Sequence, residues 1–345
     1  MKMKFNYDWK LADGYPAKGI DYHGHTVFGT FICGGGSTMG YKLAGFNHLG
    51  GVEIDKKIAA IYKKNHSPAH LFNEDIRAFN KRKNLPTELY NLSLLDGSPP
   101  CSSFSMAGNR DKDWGKTKKF REGQAEQKLD DLVFEYVETI NKLRPKVAIL
   151  ENVKGMLIGN AKAYVKKLCE QLTSYGYAPQ VFLLNAASMG VPQRRERVFI
   201  ISSRADLMLP KLNLKFSEKP IPFCEIDEGV LPSFEKYVVN CDAPYYKKCK
   251  QGNAISSVHP KGNRFNSIKL NPRIPAPTIA SGGAYYHPTQ ARWLQKSEFL
   301  KIGTFPSDYD FIDEKPVYVI GMSVPPVMTA QISHQIYLQW LSKID

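Results

Sequence analysis

The chain reads as an α/β protein built on a mostly parallel sheet with helices on both faces, joined to a smaller irregular domain. Three observations predict this. Apolar, β-branched runs alternate with stretches of helical spacing. A glycine-rich turn follows the first apolar run directly. From about Arg204, prolines, glycines and aromatics become frequent and helical periodicity fades. With 345 residues, two domains are expected. The first spans about 1–203 and is completed by about 306–345. The second spans 204–305, with its ends acting as hinges.

Val27–Ile32 reads as the first strand, followed by the glycine turn and a helix around Gly40–Phe46. Gly51–Ile54 reads as the second strand and Lys56–Lys64 as helix. Leu92–Leu95 is a short strand. Over Asp130–Leu143, Leu132, Val133, Tyr136, Val137 and Ile140 recur at helical spacing. Lys146–Leu150 reads as a buried strand and Ala161–Tyr175 as helix. Gln180–Leu184 and Arg197–Ser202 form a late pair of strands. Val327–Leu341 reads as a closing helix that returns to the first domain.

The formal net charge is +14, which favours a polyanionic partner through counterion release; a generally basic solvated surface is the alternative. The six cysteines form no CxxC pair and the eight histidines show no metal-ligand spacing. No metal is expected, and reduced thiols in a cytoplasm fit better than a disulfide framework. The basic N-terminal residues lack an apolar run behind them, unlike a signal peptide. No stretch approaches the roughly 18 apolar residues of a membrane span.

Four motifs could carry chemistry. In "TFICGGGSTMG" (Thr30–Gly40), Gly34, Gly36 and Gly40 let a ligand approach the backbone, or serve only a tight turn. The second strand ends in Glu53-Ile54-Asp55, where a carboxylate can accept from ribose hydroxyls. That does not choose between a nicotinamide dinucleotide and S-adenosylmethionine. "GSPPCSSFS" (Gly97–Ser105) places Cys101 behind two rigid prolines, as a nucleophile or as a small core hydrophobe. "ILENVKG" puts Glu151 at the carboxyl end of a buried strand, as a site residue or beside a helix cap. "PQRRERVFII" sets Arg195 and Arg197 at strand alternation, so that they point the same way.

In this order the motifs resemble the DNA cytosine-5 methyltransferase family. "PAPTI" (Pro275–Ile279), "ARWLQKSEFLKIGTFPSDYDF" (Ala291–Phe311) and "IGMSVPPVMTAQIS" (Ile320–Ser333) resemble its later motifs, so the resemblance covers nearly the whole chain. It implies a Rossmann-like S-adenosylmethionine-dependent methyltransferase fold with a target-recognition domain. It also implies that Cys101 adds to C6 of a flipped cytosine, that Glu151 serves the N3 side, that Arg197 meets O2, and that Arg195 braces the site. S-adenosylmethionine is expected at Ile32, Gly34, Gly36, Glu53, Ile54, Asp75, Ile76, Pro99, Ser323 and Val324. DNA contacts are expected from Ser102, Ser105, Arg110, Lys116, Lys118, Lys119 and Thr278, with the basic stretch after Cys101 as a closing lid. The chain departs from the family at Thr30 (usually Asp), Ile32 (usually Phe), Ser102 (usually Gln) and Met322 (usually Asn).

The chemistry agrees with the resemblance. C5 of cytosine is too weak a nucleophile until a thiolate adds at C6. A base inside a duplex must first be flipped out. The expected partners are double-stranded DNA and, in a restriction-modification system, a cognate endonuclease; the chain itself is expected to be a cytoplasmic monomer. The rival readings are a transfer RNA cytosine-5 methyltransferase, a catalytically inactive DNA-binding module and a nicotinamide dehydrogenase. The Cys-Phe-Thr usual in the RNA-acting branch is missing. Intact Cys101, Glu151 and Arg197 oppose the second rival. The third leaves Pro-Pro-Cys unexplained.

Overall fold

The computed structural model describes residues 5–100, 117–118, 127–128, 131–159, 161–229 and 243–344. Cys101, Ser102, Ser105, Arg110, Lys116 and Lys119 lie outside the described residues. Lys118 falls in a two-residue strand described by its backbone alone.

The chain forms two compact units. The sheet unit comprises Pro16–Leu184, Glu196–Lys215 and Ile332–Asp345. Its strands and helices are β1 (Thr26–Thr30), α1 (Gly36–Leu43), β2 (Asn47–Val52), α2 (Lys56–His66), β3 (His70–Phe72), α3 (Ile76–Lys81) and β4 (Leu94–Gly97). A small antiparallel pair, β5 (Thr117–Lys118) and β6 (Gln127–Lys128), precedes α4 (Leu132–Leu143), β7 (Val147–Val153), α5 (Ala161–Ser174) and β8 (Tyr177–Asn185). After β9 (Gln193–Arg194), which belongs to the second unit, comes β10 (Glu196–Arg204). The main sheet has seven strands in the order β3-β2-β1-β4-β7-β10-β8. The first five are parallel, and β10 runs antiparallel to β7.

Strand alternation explains why helices flank both faces. Leu95 packs with Val133 and Val137 of α4 in the main core. Its neighbour Asp96 points the other way and meets the Tyr41 hydroxyl of α1 at 3.0 Å. Tyr136 of α4 donates to the carbonyls of Leu95 and Ile149 at 2.8 and 2.7 Å, which fixes that helix under β4 and β7.

Helix α1 begins at Gly36, four residues before the expected Gly40, because the glycine turn itself serves as its cap. β3 and α3 were not expected from the periodicity. β3 is three half-buried residues, too short to show a pattern, and α3 is a six-residue helix capped by Asp75.

The second unit comprises Met1–Tyr15, Asn185–Arg195 and Phe216–Gln331. It holds α6 (Ala243–Lys248), β11 (Ser267–Lys269), β12 (Ala276–Pro277), β13 (Ala284–Tyr286), α7 (Lys296–Gly303) and α8 (Pro316–Met322). The last helix, α9 (Pro326–Gln339), begins in this unit and ends in the sheet unit. These units differ from the expected domains of 1–203 and 204–305. Residues 185–195 join the second unit because β9 pairs with β12 and Gln193 donates to the Ile302 carbonyl at 3.2 Å. Residues 306–331 join it too, and Arg195 donates to the Gly321 carbonyl at 3.1 Å. A bidentate pair between Arg292 and Glu298, both oxygens at 2.8 Å and both side chains fully buried, anchors the start of α7. Among the described residues no helix is long and apolar enough to cross a membrane.

Candidate active site

The turn after β1 is strained. Phe31, Cys33 and Gly35 all have positive φ, at 55°, 47° and 82°. Such alternation turns successive N–H groups inward, and for the two non-glycines it costs about 1–3 kcal/mol each. Glu53 helps to hold it. Its Oε2 accepts from the Cys33 amide and its Oε1 from the Asp55 amide, each at 2.9 Å. Burial pushes the Glu53 carboxyl up to about 7 against these hydrogen bonds, which lower it. His66, at the end of α2, also braces the turn, with Nε2 on the Gly34 carbonyl at 3.1 Å. A Cβ on Gly35 would stand 2.2 Å from that Nε2, so only glycine fits there. Burial lowers His66 to about 3 and keeps it neutral.

The other expected cofactor residues of the sheet unit sit near the carboxyl ends of its strands. Ile32 is 8% exposed and packs back against the strands, its Cγ2 pressed to the backbone where Gly29 and Gly51 lack side chains. Ile54, beyond β2, is 38% exposed. Asp75 caps α3 by accepting from the Arg77 amide at 2.8 Å and pairs with its guanidinium; Ile76 is buried. Thr30, where the family has Asp, donates to the Asp96 carbonyl at 3.2 Å and so ties β1 to β4.

Beyond β4 the chain enters Ser98-Pro99-Pro100. Asn152, buried at the end of β7, donates to the Pro99 carbonyl at 3.3 Å. The residue before it, Glu151, is also buried, and its Oε1 lies 2.9 Å from Arg197 Nε on β10. Arg197 Nη1 donates to the Glu196 carbonyl at 2.8 Å. The antiparallel register sets Phe199 opposite Glu151 and Arg197 opposite Val153, so Glu151 and Arg197 share a sheet face. Thus a carboxylate, a guanidinium and the segment leading into Cys101 meet at the ends of β4, β7 and β10.

Arg195 does not share a direction with Arg197 by strand alternation. It lies outside β10, and its guanidinium serves the second unit, with Nη1 on the Ile279 carbonyl and Nη2 on the Gly321 carbonyl, both at 3.1 Å. Thr278 donates to the Arg194 carbonyl at 2.9 Å. Ser323 is buried and donates to the Val319 carbonyl at 2.8 Å; Val324 is buried beside it in sequence. These four belong to the second unit.

Three residues of the sheet unit were missed from the sequence: Asp96, His66 and Asn152. Asp96 carried a legible signal, a carboxylate inside an apolar strand. His66 did not, since its role depends on α2 returning to the turn. Asn152 follows Glu151 in the same motif.

Comparison with known proteins agrees with this geometry. The profile of the C-5 cytosine-specific DNA methylase family matches residues 27–223 and 225–338. The type II methyltransferase M.NgoPII of Neisseria gonorrhoeae is 33% identical over 90% of this chain and 95% of its own. M.DdeI of Desulfomicrobium norvegicum, another type II methyltransferase, is 25% identical over 88% and 86%. The fold is shared with a candidate DNA modification methyltransferase encoded within an E. coli prophage. That match has a TM-score of 0.71 at 18% identity and covers 91% of this chain and 99% of the other. With the family profile spanning nearly the whole sequence, this chain belongs to the C-5 cytosine-specific DNA methylase family.

Proposed function

We propose that this chain methylates C5 of a flipped cytosine in double-stranded DNA, with S-adenosylmethionine as donor and Cys101 as nucleophile. The buried Glu151–Arg197 pair carries this reading. A carboxylate and a guanidinium 2.9 Å apart at the sheet's carboxyl edge form a polar clamp for a planar base. Pairing through Oε1 leaves Glu151 Oε2 for the N3 side. Arg197, using Nε and Nη1 internally, has Nη2 to offer O2.

In the cycle, Cys101 donates its thiolate pair to C6 while Glu151 shares a proton at N3. C5 becomes nucleophilic and takes the methyl group. A solvent base then takes the C5 proton, and its C–H pair restores the C5–C6 double bond as Cys101 leaves as thiolate. Holding the pair in place beforehand avoids reorganisation during the reaction.

The donor set at the glycine turn fits S-adenosylmethionine. Glu53 keeps lone pairs for ribose hydroxyls beyond its bonds to the backbone amides of Cys33, Ile54 and Asp55. The turn brings bare backbone to the ligand, and Ile54 presents an apolar surface next to it. When bound, the cofactor supplies a methyl group activated on a sulfonium. Arg195 supports the second unit's Ile279–Gly321 region, which leads to Ser323 and Val324. The net charge of +14 suits a duplex partner. The type II relatives support a role in a restriction-modification system beside an endonuclease, and we read the chain as a cytoplasmic monomer.

The test is bisulfite sequencing of DNA from cells expressing the chain. Protected cytosines at one short sequence, lost in Cys101→Ala, are expected. Absence of protection, or protection that survives Cys101→Ala, would overturn the proposal.

A further inference from the structure

Among the described residues of the sheet unit, the mechanism above leaves one buried carboxylate unused. Asp96 lies on β4, opposite Gly29 of β1 and Ile149 of β7. The strand order turns back between β1 and β4, and ligands of open α/β sheets bind outside the strand ends at such a switch point. On one side of Asp96 stand the glycine turn and Glu53, and on the other Glu151 and Arg197. A transferred methyl group has to pass between those two sets.

Asp96 is 5% exposed. From α1, Tyr41 donates to its Oδ1 at 3.0 Å and Ser37 also bonds to the carboxylate, as does the Gly97 amide. Thr30 of β1 bonds to its carbonyl. Glu151 of β7 acts on it through space, and Asp96 in turn acts on Tyr62 of α2 and Tyr136 of α4. Two buried carboxylates, Asp96 and Glu151, share this sheet face by register, and the cation paired there is Arg197. With both acids ionised, this set carries one uncompensated negative charge, which a positively charged ligand would balance.

We propose that Asp96 is an electrostatic positioning residue that makes the site prefer the sulfonium form of its cofactor to the neutral thioether left after methyl transfer. The inference rests on the cofactor reading above. It explains why an acid occupies the centre of an otherwise apolar strand, and it assists turnover, because the attraction vanishes once the methyl has left. Burial, with Glu151 adding to it, raises Asp96 to about 7. The preference therefore grows as pH rises through that value and the carboxylate ionises.

The experiment measures dissociation constants of S-adenosylmethionine and S-adenosylhomocysteine for the full chain at pH 6 and pH 8. The two ligands share adenine, ribose and the amino-acid end, so the hydrogen bonds of Glu53 to those shared groups cancel in their ratio, and Asp96→Asn separates the charge of Asp96 from that of Glu53. For wild type, the preference for the sulfonium ligand should rise on the order of tenfold between the two pH values. In Asp96→Asn the ratio should be lower and flat. Tyr41→Phe removes a donor but keeps the charge, so its ratio should still rise, with the midpoint moved to higher pH. A flat ratio in wild type overturns the proposal, as does an Asp96→Asn ratio equal to wild type at both pH values. If Asp96→Asn does not fold, wild type and Tyr41→Phe decide the matter by the same criteria. Failure of wild type to bind either ligand would overturn the cofactor reading and this inference together. An unchanging ratio with both ligands bound overturns this inference alone.

Discussion

Replacing Arg197 with methionine keeps most of the side-chain volume and removes the partner of a buried carboxylate. Arg197 and Glu151 have side chains only 12% and 11% exposed, at 2.9 Å. Breaking a buried pair costs about 3–5 kcal/mol because the remaining charge is left uncompensated. The lost bond to the Glu196 carbonyl adds about 1 kcal/mol. Slight solvent access offsets part of this, so Arg197→Met should lose about 3 kcal/mol. The double variant Glu151→Gln/Arg197→Met carries no orphan charge and should recover about 2 kcal/mol of that loss. Urea unfolding of the two variants beside wild type measures both quantities, without relying on activity that both variants would abolish. A single variant within about 0.5 kcal/mol of wild type, or a double variant less stable than the single, would refute the reasoning.

A duplex carrying 5-fluorocytosine should trap wild type covalently, since fluorine cannot leave as the proton does; denaturing gels would show the adduct, and Cys101→Ala should give none. Glu53, raised to about 7 from 4.5 by burial, binds more protons folded than unfolded between those values. Its contribution is therefore full at low pH and falls as pH rises through 7, by up to about 3 kcal/mol, and Glu53→Gln should flatten that part of a stability–pH curve. Gly35→Ala forces a Cβ to within 2.2 Å of His66 Nε2 at a φ of +82°; a loss of about 2 kcal/mol or more is expected, with weaker methyl-donor binding by calorimetry. DNA affinity should fall about 10³–10⁵-fold between 50 and 200 mM salt if roughly 6–10 phosphates are contacted. Neutralising Lys116, Lys118 and Lys119 together should reduce that slope in a salt titration, and an identical slope would place them away from DNA.

The mostly parallel sheet and four of its strands, β1, β2, β4 and β7, were legible because each is a dense apolar run and the helices between them have one apolar face. β3 and α3 escaped because three half-buried residues and six helical ones show no period. Glu151 was legible as a carboxylate in an apolar run. Its tie to Arg197 depends on the antiparallel register of β10, which no local pattern encodes. Arg195 misled for a related reason. Alternation through "RRER" predicts one strand, but the chain breaks between β9 and β10, and Arg195 serves carbonyls more than 80 residues away. The unit boundaries were illegible at short range. The composition change near Arg204 marks where helices stop, whereas packing returns residues 185–195 to strands and loops made much later in the chain.

The division into interleaved segments bears on how the protein matures during synthesis. The chain passes between the two units at residues 15/16, 184/185, 195/196, 215/216 and 331/332. Tyr337 stacks on His23 with ring centres 4.0 Å apart, and Trp340 donates to the Pro210 carbonyl at 2.7 Å. Most of the sheet unit is made before residue 185, yet it needs residues beyond 331. A ribosome-bound chain stopped before Ile332 has no means of making these contacts, so the usual N-terminal-first order of domain folding is not open to it. Contacts spanning some three hundred residues also give a slow search. The nascent protein must therefore keep the apolar strands of its sheet from aggregating until the closing helix emerges.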